Sequence, residues 1–410
     1  MPKTQRTVII GASMAGLRTA EALGRGGYEG EILIFGAEAQ MPYNRPPLSK
    51  GFLNDSVQET ELAFEIREGL EKVRWELGNP AIKLNPDRQS ITDSRGLEHE
   101  FDNLVIATGV SPRRNPAFGS NEQNSLVLRT LEDAHRLRRN LTPGNRLVIQ
   151  GAGFIGAEVA AMATEIGCDV TLISSSDRML KRQLGDLVGN EAQRRHVERG
   201  VKVRVNSSVA SVRFDGGSTG NQVASVELAD GELLECDVFL QATGSIPNTE
   251  WLNGSGLEIT DGVLCDFTLR AMGSDGSATP NIFAIGDVAK FANPLFDATP
   301  RRVEQWNIPG ESARRVAQEI KRAASAEETA PQQPFAPVPS FWSDQFDLSF
   351  FGMGLPHLAD RTELISGELE DKFVVGYFRG EQLVAVCGSG MRGAVQAYRN
   401  QIGAKWVGAE

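Results

Sequence analysis

Thr7-Val-Ile-Ile-Gly-Ala-Ser-Met-Ala-Gly16 and, about 140 residues later, Leu147-Val-Ile-Gln-Gly-Ala-Gly-Phe-Ile-Gly156 are two versions of one pattern. Each opens with a short, continuously apolar run that reads as a buried strand, bends at a glycine-rich turn and continues with helical periodicity. A single turn of this kind is weak evidence, because short glycine patterns recur by chance. Two of them, each in strand–turn–helix context, point to two dinucleotides held by one chain. Strand signals at Thr7–Ile10 and Glu31–Phe35 flank a predicted helix over Met14–Arg25. The order repeats at 146–150, 154–166 and 169–174. Phe101-Asp-Asn-Leu-Val-Ile-Ala-Thr-Gly109 is likewise echoed by Cys236-Asp-Val-Phe-Leu-Gln-Ala-Thr-Gly244.

The remainder of the chain extends this frame. Thr279–Val288 reads as another buried strand, ending in Gly-Asp, and a helix is predicted over 311–324. Ala323–Pro339, rich in Ala, Glu, Gln and Pro, reads as a linker or a loosely packed boundary. Beyond it, apolar and polar residues alternate at Asp347–Phe351, Lys372–Arg379 and Gln382–Val386, with a helix near 393–402. A chain of 410 residues is too long for one ordinary core. The fold expected is α/β, with two Rossmann-like dinucleotide-binding domains, one inserted in the other, and a C-terminal α+β domain. The boundaries expected are 1–112 with 237–325, then 113–236, then 334–410.

Composition excludes several classes. A net charge of −11 argues against nucleic acid and against adhesion to acidic membranes. The apolar run at Val8–Ile10 is too short for a signal peptide and no stretch approaches a membrane span, so a cytoplasmic protein is expected. Cys168, Cys236, Cys265 and Cys387 are scattered, which gives no reason to expect a disulfide framework or a metal site.

In the first turn Gly11 and Gly16 permit the bend and close helix packing, and the helix N-terminus offers N–H groups to a pyrophosphate. Ser13 stands where a middle glycine is usual, at some expense of clearance, and Ala15 keeps the approach open. Glu38, just past the second strand, is placed to meet ribose hydroxyls. Gly151, Gly153, Ile155 and Gly156 are the corresponding residues of the second turn. Thr108 and Gly109, and Gly244 in the later echo, end short apolar strands and are counted with the cofactor-binding residues.

Met41-Pro-Tyr-Asn-Arg-Pro-Pro-Leu-Ser-Lys50 carries a further resemblance. It is similar to the flavin-contacting segment of the FAD-dependent NAD(P)H:ferredoxin reductases that serve bacterial aromatic-ring dioxygenases and cytochromes P450. The likeness continues through Ala107-Thr-Gly109, Leu128-Arg-Thr-Leu-Glu-Asp133, Gly151–Glu158, Ile285-Gly-Asp287, Arg302-Val-Glu-Gln-Trp306 and Phe341-Trp-Ser-Asp-Gln345, nearly the whole chain. It implies a glutathione-reductase-like architecture, with Lys50 beside flavin N5 and salt-bridged to Glu158. It also implies ribityl contacts from Asp287, a Gly286 backbone close to the phosphates, an Arg129 contact to FAD, an Ala81 contact to adenine and Trp306 against the flavin. Plainer readings stand beside these: a solvated Lys50, a Glu158 favoured only by the helix dipole, a core Trp306, and an Arg45 that meets either phosphate or a nearby acid.

Residues 38–60 contain no cysteine, so no thiol relay is available and electrons must leave the flavin directly. A one-electron carrier, a [2Fe–2S] ferredoxin, is the expected partner. The nicotinamide cofactor is less defined. An NAD-preferring site ends its second strand in an acid, whereas here Ser174 takes that place and Arg178, Lys181 and Arg182 follow. This leans toward NADPH or dual use, with Asp177 as an alternative partner for the NAD ribose. Arg314 with Lys321, Arg315 with Arg322, and Arg301 and Arg302 form either a docking patch for an acidic ferredoxin or a solvated helix face; Phe341 and Trp342 are the other docking wall. Rubredoxin reductase, NAD(P)H oxidase and a signalling flavoprotein of the apoptosis-inducing-factor type are the alternative functions. Monomer and homodimer are equally open.

Overall fold

A computed structural model describes residues 5–25, 27–67, 70, 72–118, 123–215, 222–324 and 332–406. The chain divides into two compact units, Met1–Asn44 with Ala63–Ser111 and Ile246–Pro339, and Arg45–Leu62 with Pro112–Ser245 and Ser340–Glu410.

The first unit is built on a six-stranded sheet in the order Arg270–Met272, Ala278–Ala284, Asn103–Ile106, Arg6–Ile10, Glu31–Phe35 and Val73–Glu76. All neighbours are parallel except the Arg270–Met272 edge. Val8 lies opposite both Leu33 and Leu104. The three central strands, Asn103–Ile106, Arg6–Ile10 and Glu31–Phe35, are buried along nearly their whole length, as expected where both faces of a parallel sheet are covered. Helices Met14–Arg25 and Asn307–Ala324 pack on each other. The second begins four residues before the predicted start. Pro309 falls in its first turn, where N–H groups lack intrahelical acceptors, so proline is tolerated there.

Of the expected linker, 325–331 lie outside the described residues, but its end is well packed. Phe335 is buried against Phe291, Asn293 Nδ2 donates to the Pro337 carbonyl at 2.7 Å, and Asn307 Nδ2 donates to that of Val338 at 3.0 Å. A loosely packed boundary is therefore the wrong description of 332–339. Its apolar side chains alternate with prolines whose missing N–H groups leave little backbone to satisfy.

The second unit holds three sheets. Lys202–Arg204, Asp169–Ile173, Arg146–Gln150, Val238–Gln241 and Ser125–Leu126 form a parallel sheet in that order. A three-stranded meander of Val209–Phe214, Val223–Leu228 and Leu233–Glu235 closes one side of it through a core of Phe118, Val148, Val226, Leu228 and Phe239. Ser340–Gln345, Leu348–Gly354, Gln382–Ser389, Phe373–Arg379 and Arg361–Gly367 form an antiparallel sheet. The final predicted helix is shorter than expected, Arg392–Ala397, followed by a 3-10 turn at Arg399–Gln401. Helix Lys181–Glu198 is kinked at Gly185, whose φ is +70°. Among the described residues no helix is long and apolar enough to cross a membrane.

Candidate functional site

The repeat seen in the sequence recurs in the hydrogen bonding of each unit. Gly11 N–H donates to the Phe35 carbonyl at 2.8 Å, and Gly151 N–H to that of Ile173 at 2.9 Å. Both glycines have positive φ, +123° and +113°. A Cβ on Gly11 would lie 2.1 Å from the Ala107 carbonyl oxygen, and one on Gly151 would lie 2.2 Å from that of Ala242. A Cβ on Gly16 or Gly156 would lie 2.1 or 1.9 Å from the carbonyl oxygen of Gly11 or Gly151. The middle position differs. A Cβ on Gly153 meets only the mobile end of Gln183, at 3.1 Å. Packing thus demands the outer glycines and leaves the middle one free, which is why Ser13 is tolerated in the first turn.

In the first unit three segments converge on that turn. Gly286 lies so close that a Cβ there would sit 3.4 Å from Ala15 Cβ, and Gly286 N–H donates to Ser312 Oγ at 3.3 Å. Asp287 is half-buried beside it. Trp306, just before helix Asn307–Ala324, is 45% exposed, which sets aside its reading as a core tryptophan. Tyr43 Oη donates to Glu38 Oε2 at 2.5 Å and so fixes the acid after the second strand. Asn248 locks the end of strand Asn103–Ile106: it receives Thr108 Oγ1 on its carbonyl at 2.8 Å and donates to the Thr108 carbonyl at 2.9 Å and, from its backbone, to that of Gly109 at 3.0 Å. Ala81 is buried at the start of strand Ala81–Asn85.

In the second unit Lys50 ends the turn Pro46–Ser49, and Glu158 lies one turn into helix Phe154–Ile166. Lys50 Nζ is 2.7 Å from Glu158 Oε2, with side chains 17% and 4% exposed. This excludes the solvated lysine. Ser49 Oγ donates to the same oxygen at 2.5 Å, and Ser343 Oγ donates to Oε1 at 2.6 Å. Ile155, beside the turn, is exposed. Arg45 Nη1 donates to the Arg129 carbonyl at 2.9 Å, while Arg129 N–H and the Thr130 cap bond Asp133 at the start of helix Leu131–Asn140. Gly244 is exposed and its carbonyl accepts the Arg113 N–H at 2.8 Å.

The loop after strand Asp169–Ile173 is engaged with itself. Ser174 is buried, donating to the Arg178 carbonyl at 3.1 Å and accepting the Ser176 N–H at 3.2 Å. Arg178 contacts Asp177 at 2.9 Å, Asn190 at 2.8 Å and Asp186 at 3.3 Å, and Lys181 contacts Asp177 at 2.9 Å. These bonds from Arg178 and Lys181 hold the Asp177 carboxyl far below the usual carboxylate range.

The expected basic patch is largely tied up. Arg315 turns inward to Glu319 at 3.1 Å, Arg301 pairs with Asp297 at 2.6 Å, Arg302 pairs with Asp261 at 2.9 Å, and Lys321 Nζ donates to the Ala22 carbonyl at 3.3 Å. Helical spacing placed Arg314 with Lys321 and Arg315 with Arg322 on common faces but could not show which acids face them, and Arg301 and Arg302 lie on strand Asp297–Arg302. The four cysteines are all buried and unbridged, and burial pushes the Cys236 thiol up to about 12. Ser49, Asn248, Ser343 and Gln345 carried no signal of their own in the sequence, although Ser49, Ser343 and Gln345 stand inside the segments 41–50 and 341–345.

Residues 5–325 match the pyridine nucleotide-disulphide oxidoreductase family and 340–407 the reductase C-terminal family. Putidaredoxin reductase of Pseudomonas putida is 32% identical over 393 residues, spanning 94% of this chain and 89% of that one. The crystal structure of its covalent complex with putidaredoxin superposes with a TM-score of 0.88, at 30% identity and over 97% and 92% of the two chains. The ferredoxin–NAD(+) reductase component of the p-cumate 2,3-dioxygenase system of P. putida is 33% identical, over 93% and 89%. Rubredoxin–NAD(+) reductase of Ectopseudomonas oleovorans is 32% identical, over 92% and 94%. The chain belongs to the pyridine nucleotide-disulphide oxidoreductase family and, within it, to the ferredoxin reductases.

Proposed function

We propose that this enzyme draws electrons from NADH and NADPH and delivers them singly to a [2Fe–2S] ferredoxin that serves an oxygenase. The observation that carries the reading is the buried Lys50–Glu158 pair at the second glycine turn, in a chain whose cysteines are all sequestered. Family membership brings FAD and a nicotinamide dinucleotide with it.

The residues present fit FAD. Among the described residues, the amide oxygens of Asn44 and Gln305 are buried with no hydrogen-bond partner. Both stand in segments that resemble flavin contacts. A buried unsatisfied acceptor costs roughly 1–3 kcal/mol, so a donor-bearing group at those positions accounts for them. FAD, when bound, supplies the conversion between a hydride donor and a one-electron acceptor.

The chain's own groups then have defined tasks. Gly11, Ser13, Ala15 and Gly16 present backbone N–H groups to the pyrophosphate of FAD, Glu38 meets the ribose and Asp287 the ribityl hydroxyls, with Gly286, Thr108, Gly109 and Ala81 lining the path. Arg45 and Arg129, joined at 2.9 Å, add positive charge for the phosphates. Lys50 holds a cation at the hydride-accepting edge, where a low dielectric strengthens it. Glu158 orients that cation, and Trp306 covers the ring near solvent. Gly151, Gly153, Ile155, Gly156 and Gly244 line the nicotinamide dinucleotide.

The loop after Ile173 supports the reading of dual cofactor use. Ser174 places no acid against a 2′-phosphate, while Arg178 and Lys181 are balanced by Asp177 and Asp186. The values of kcat/KM for NADH and NADPH should lie within about tenfold, a difference of 1.4 kcal/mol in transition-state stabilisation; a hundredfold preference for either would overturn this. Stopped-flow reduction of the flavin tests the central reading. Lys50→Ala should slow it at least about tenfold, the size of a lost charged hydrogen bond, with FAD still bound. Undiminished reduction would remove Lys50 from the reaction. Turnover with rubredoxin or oxygen above that with a ferredoxin would favour the alternative acceptors.

A further inference from the structure

Strand Ser340–Gln345 alternates half-buried and buried positions, with Phe341, Ser343 and Gln345 facing inward. Inward positions of a strand ordinarily carry apolar side chains, so two fully buried polar residues there need a reason. Both lead to Glu158. Gln345 Nε2 donates to Ser343 Oγ at 2.9 Å, and Ser343 Oγ donates onward to Glu158 Oε1 at 2.6 Å. Because Ser343 accepts from Gln345, its single proton is directed at the carboxylate. The opposite oxygen, Oε2, takes Lys50 and Ser49. Glu158 thus takes donors on both oxygens, two on Oε2 and one on Oε1.

Stability alone does not explain the arrangement. Among the described residues Gln345 Oε1 is buried with no partner, which lowers the gain from the chain. From the Lys50–Glu158 reading above, on which it rests, we infer that Ser343, oriented by Gln345, is a positioning residue for hydride transfer. It clamps Oε1 so that Oε2 remains aimed at the Lys50 ammonium. The C-terminal sheet thereby contributes to the reductive half-reaction as well as to packing.

Ser343→Ala, Ser343→Thr and Glu158→Gln, each as the FAD-loaded protein, test the inference. Ser343→Ala should slow flavin reduction about tenfold, as expected for one hydrogen bond to a charged group, with the half-saturating nucleotide concentration within about twofold. Its resting visible bands should move in the same sense as those of Lys50→Ala, which a merely structural role would not produce. Its thermal midpoint should fall by a few degrees, because Glu158 Oε1 and Gln345 Nε2 stay buried without a partner. Ser343→Thr, which keeps the hydroxyl, should restore rate and spectrum. If the alanine variant does not fold, Ser343→Cys, with a weaker donor, carries the same expectations. Wild-type rate and spectrum in Ser343→Ala, beside a slow Glu158→Gln, would overturn the inference and leave the Lys50–Glu158 reading intact. A Glu158→Gln enzyme as fast as the wild type would overturn both.

Discussion

Gly151 and Gly153 stand two residues apart in the same turn and meet different surroundings. A side chain on Gly151 would collide with a backbone carbonyl and impose positive φ on a residue with a Cβ, whereas one on Gly153 meets only the end of Gln183. Gly151→Ser should therefore lower stability by about 2–4 kcal/mol, from strain and overpacking together, or prevent folding. Gly153→Ser should cost under about 1 kcal/mol, as its counterpart Ser13 suggests. Denaturant melts of the two variants compare them directly. His196 gives a second prediction at this scale. Burial pushes its imidazole below the ordinary value, against the opposing pull of the Ala192 and Ala157 carbonyls and of Asp347. A depressed basic group makes the unfolded state the stronger proton binder. Stability is thus complete above about pH 6.5, the unperturbed value, and declines as pH falls below it. The thermal midpoint should drop by a few degrees more between about pH 7 and 5 in the wild type than in His196→Gln.

Helix Lys181–Glu198 shows what an element needs when its regularity fails. At Gly185 the backbone leaves helical geometry, and the carbonyl of Leu184 accepts from Tyr377 Oη, at 2.9 Å, a fully buried phenol on strand Phe373–Arg379. Tyr377→Phe removes that donor and leaves the carbonyl buried, so urea denaturation should show a loss of about 1–3 kcal/mol. A wild-type midpoint would mean that another donor reaches Leu184. Elements were legible in the sequence where one residue type decides them. The strands before both glycine turns, the turns themselves and the inward faces of the C-terminal sheet follow from apolar periodicity and steric need. The early start of helix Asn307–Ala324 was hidden by Pro309-Gly310, which reads as a break until the first-turn exemption is applied. Ser343 was hidden for another reason: its partner is 185 residues away, and only tertiary structure brings the two together.

For the whole molecule, net charge and local pairing act together. The chain carries −11, and Arg301, Arg302 and Arg315 are neutralised by Asp297, Asp261 and Glu319. Steering of an acidic ferredoxin by this group is then weak, and screening removes repulsion as much as attraction. Ferredoxin-dependent turnover should change by less than about threefold between roughly 0.02 and 0.2 M salt. A steep fall with salt would point to a basic surface elsewhere on the chain.

The buried cysteines have a practical corollary. Cys168, Cys236, Cys265 and Cys387 are each under 9% exposed, and burial pushes all four thiols above their ordinary range. Only the thiolate reacts readily with maleimides or disulfides. The native protein therefore offers labelling chemistry almost no background. A single cysteine introduced at a surface position would be the one reactive thiol, and a spectroscopic probe or a crosslink to an acceptor protein could be attached there without first removing any natural residue.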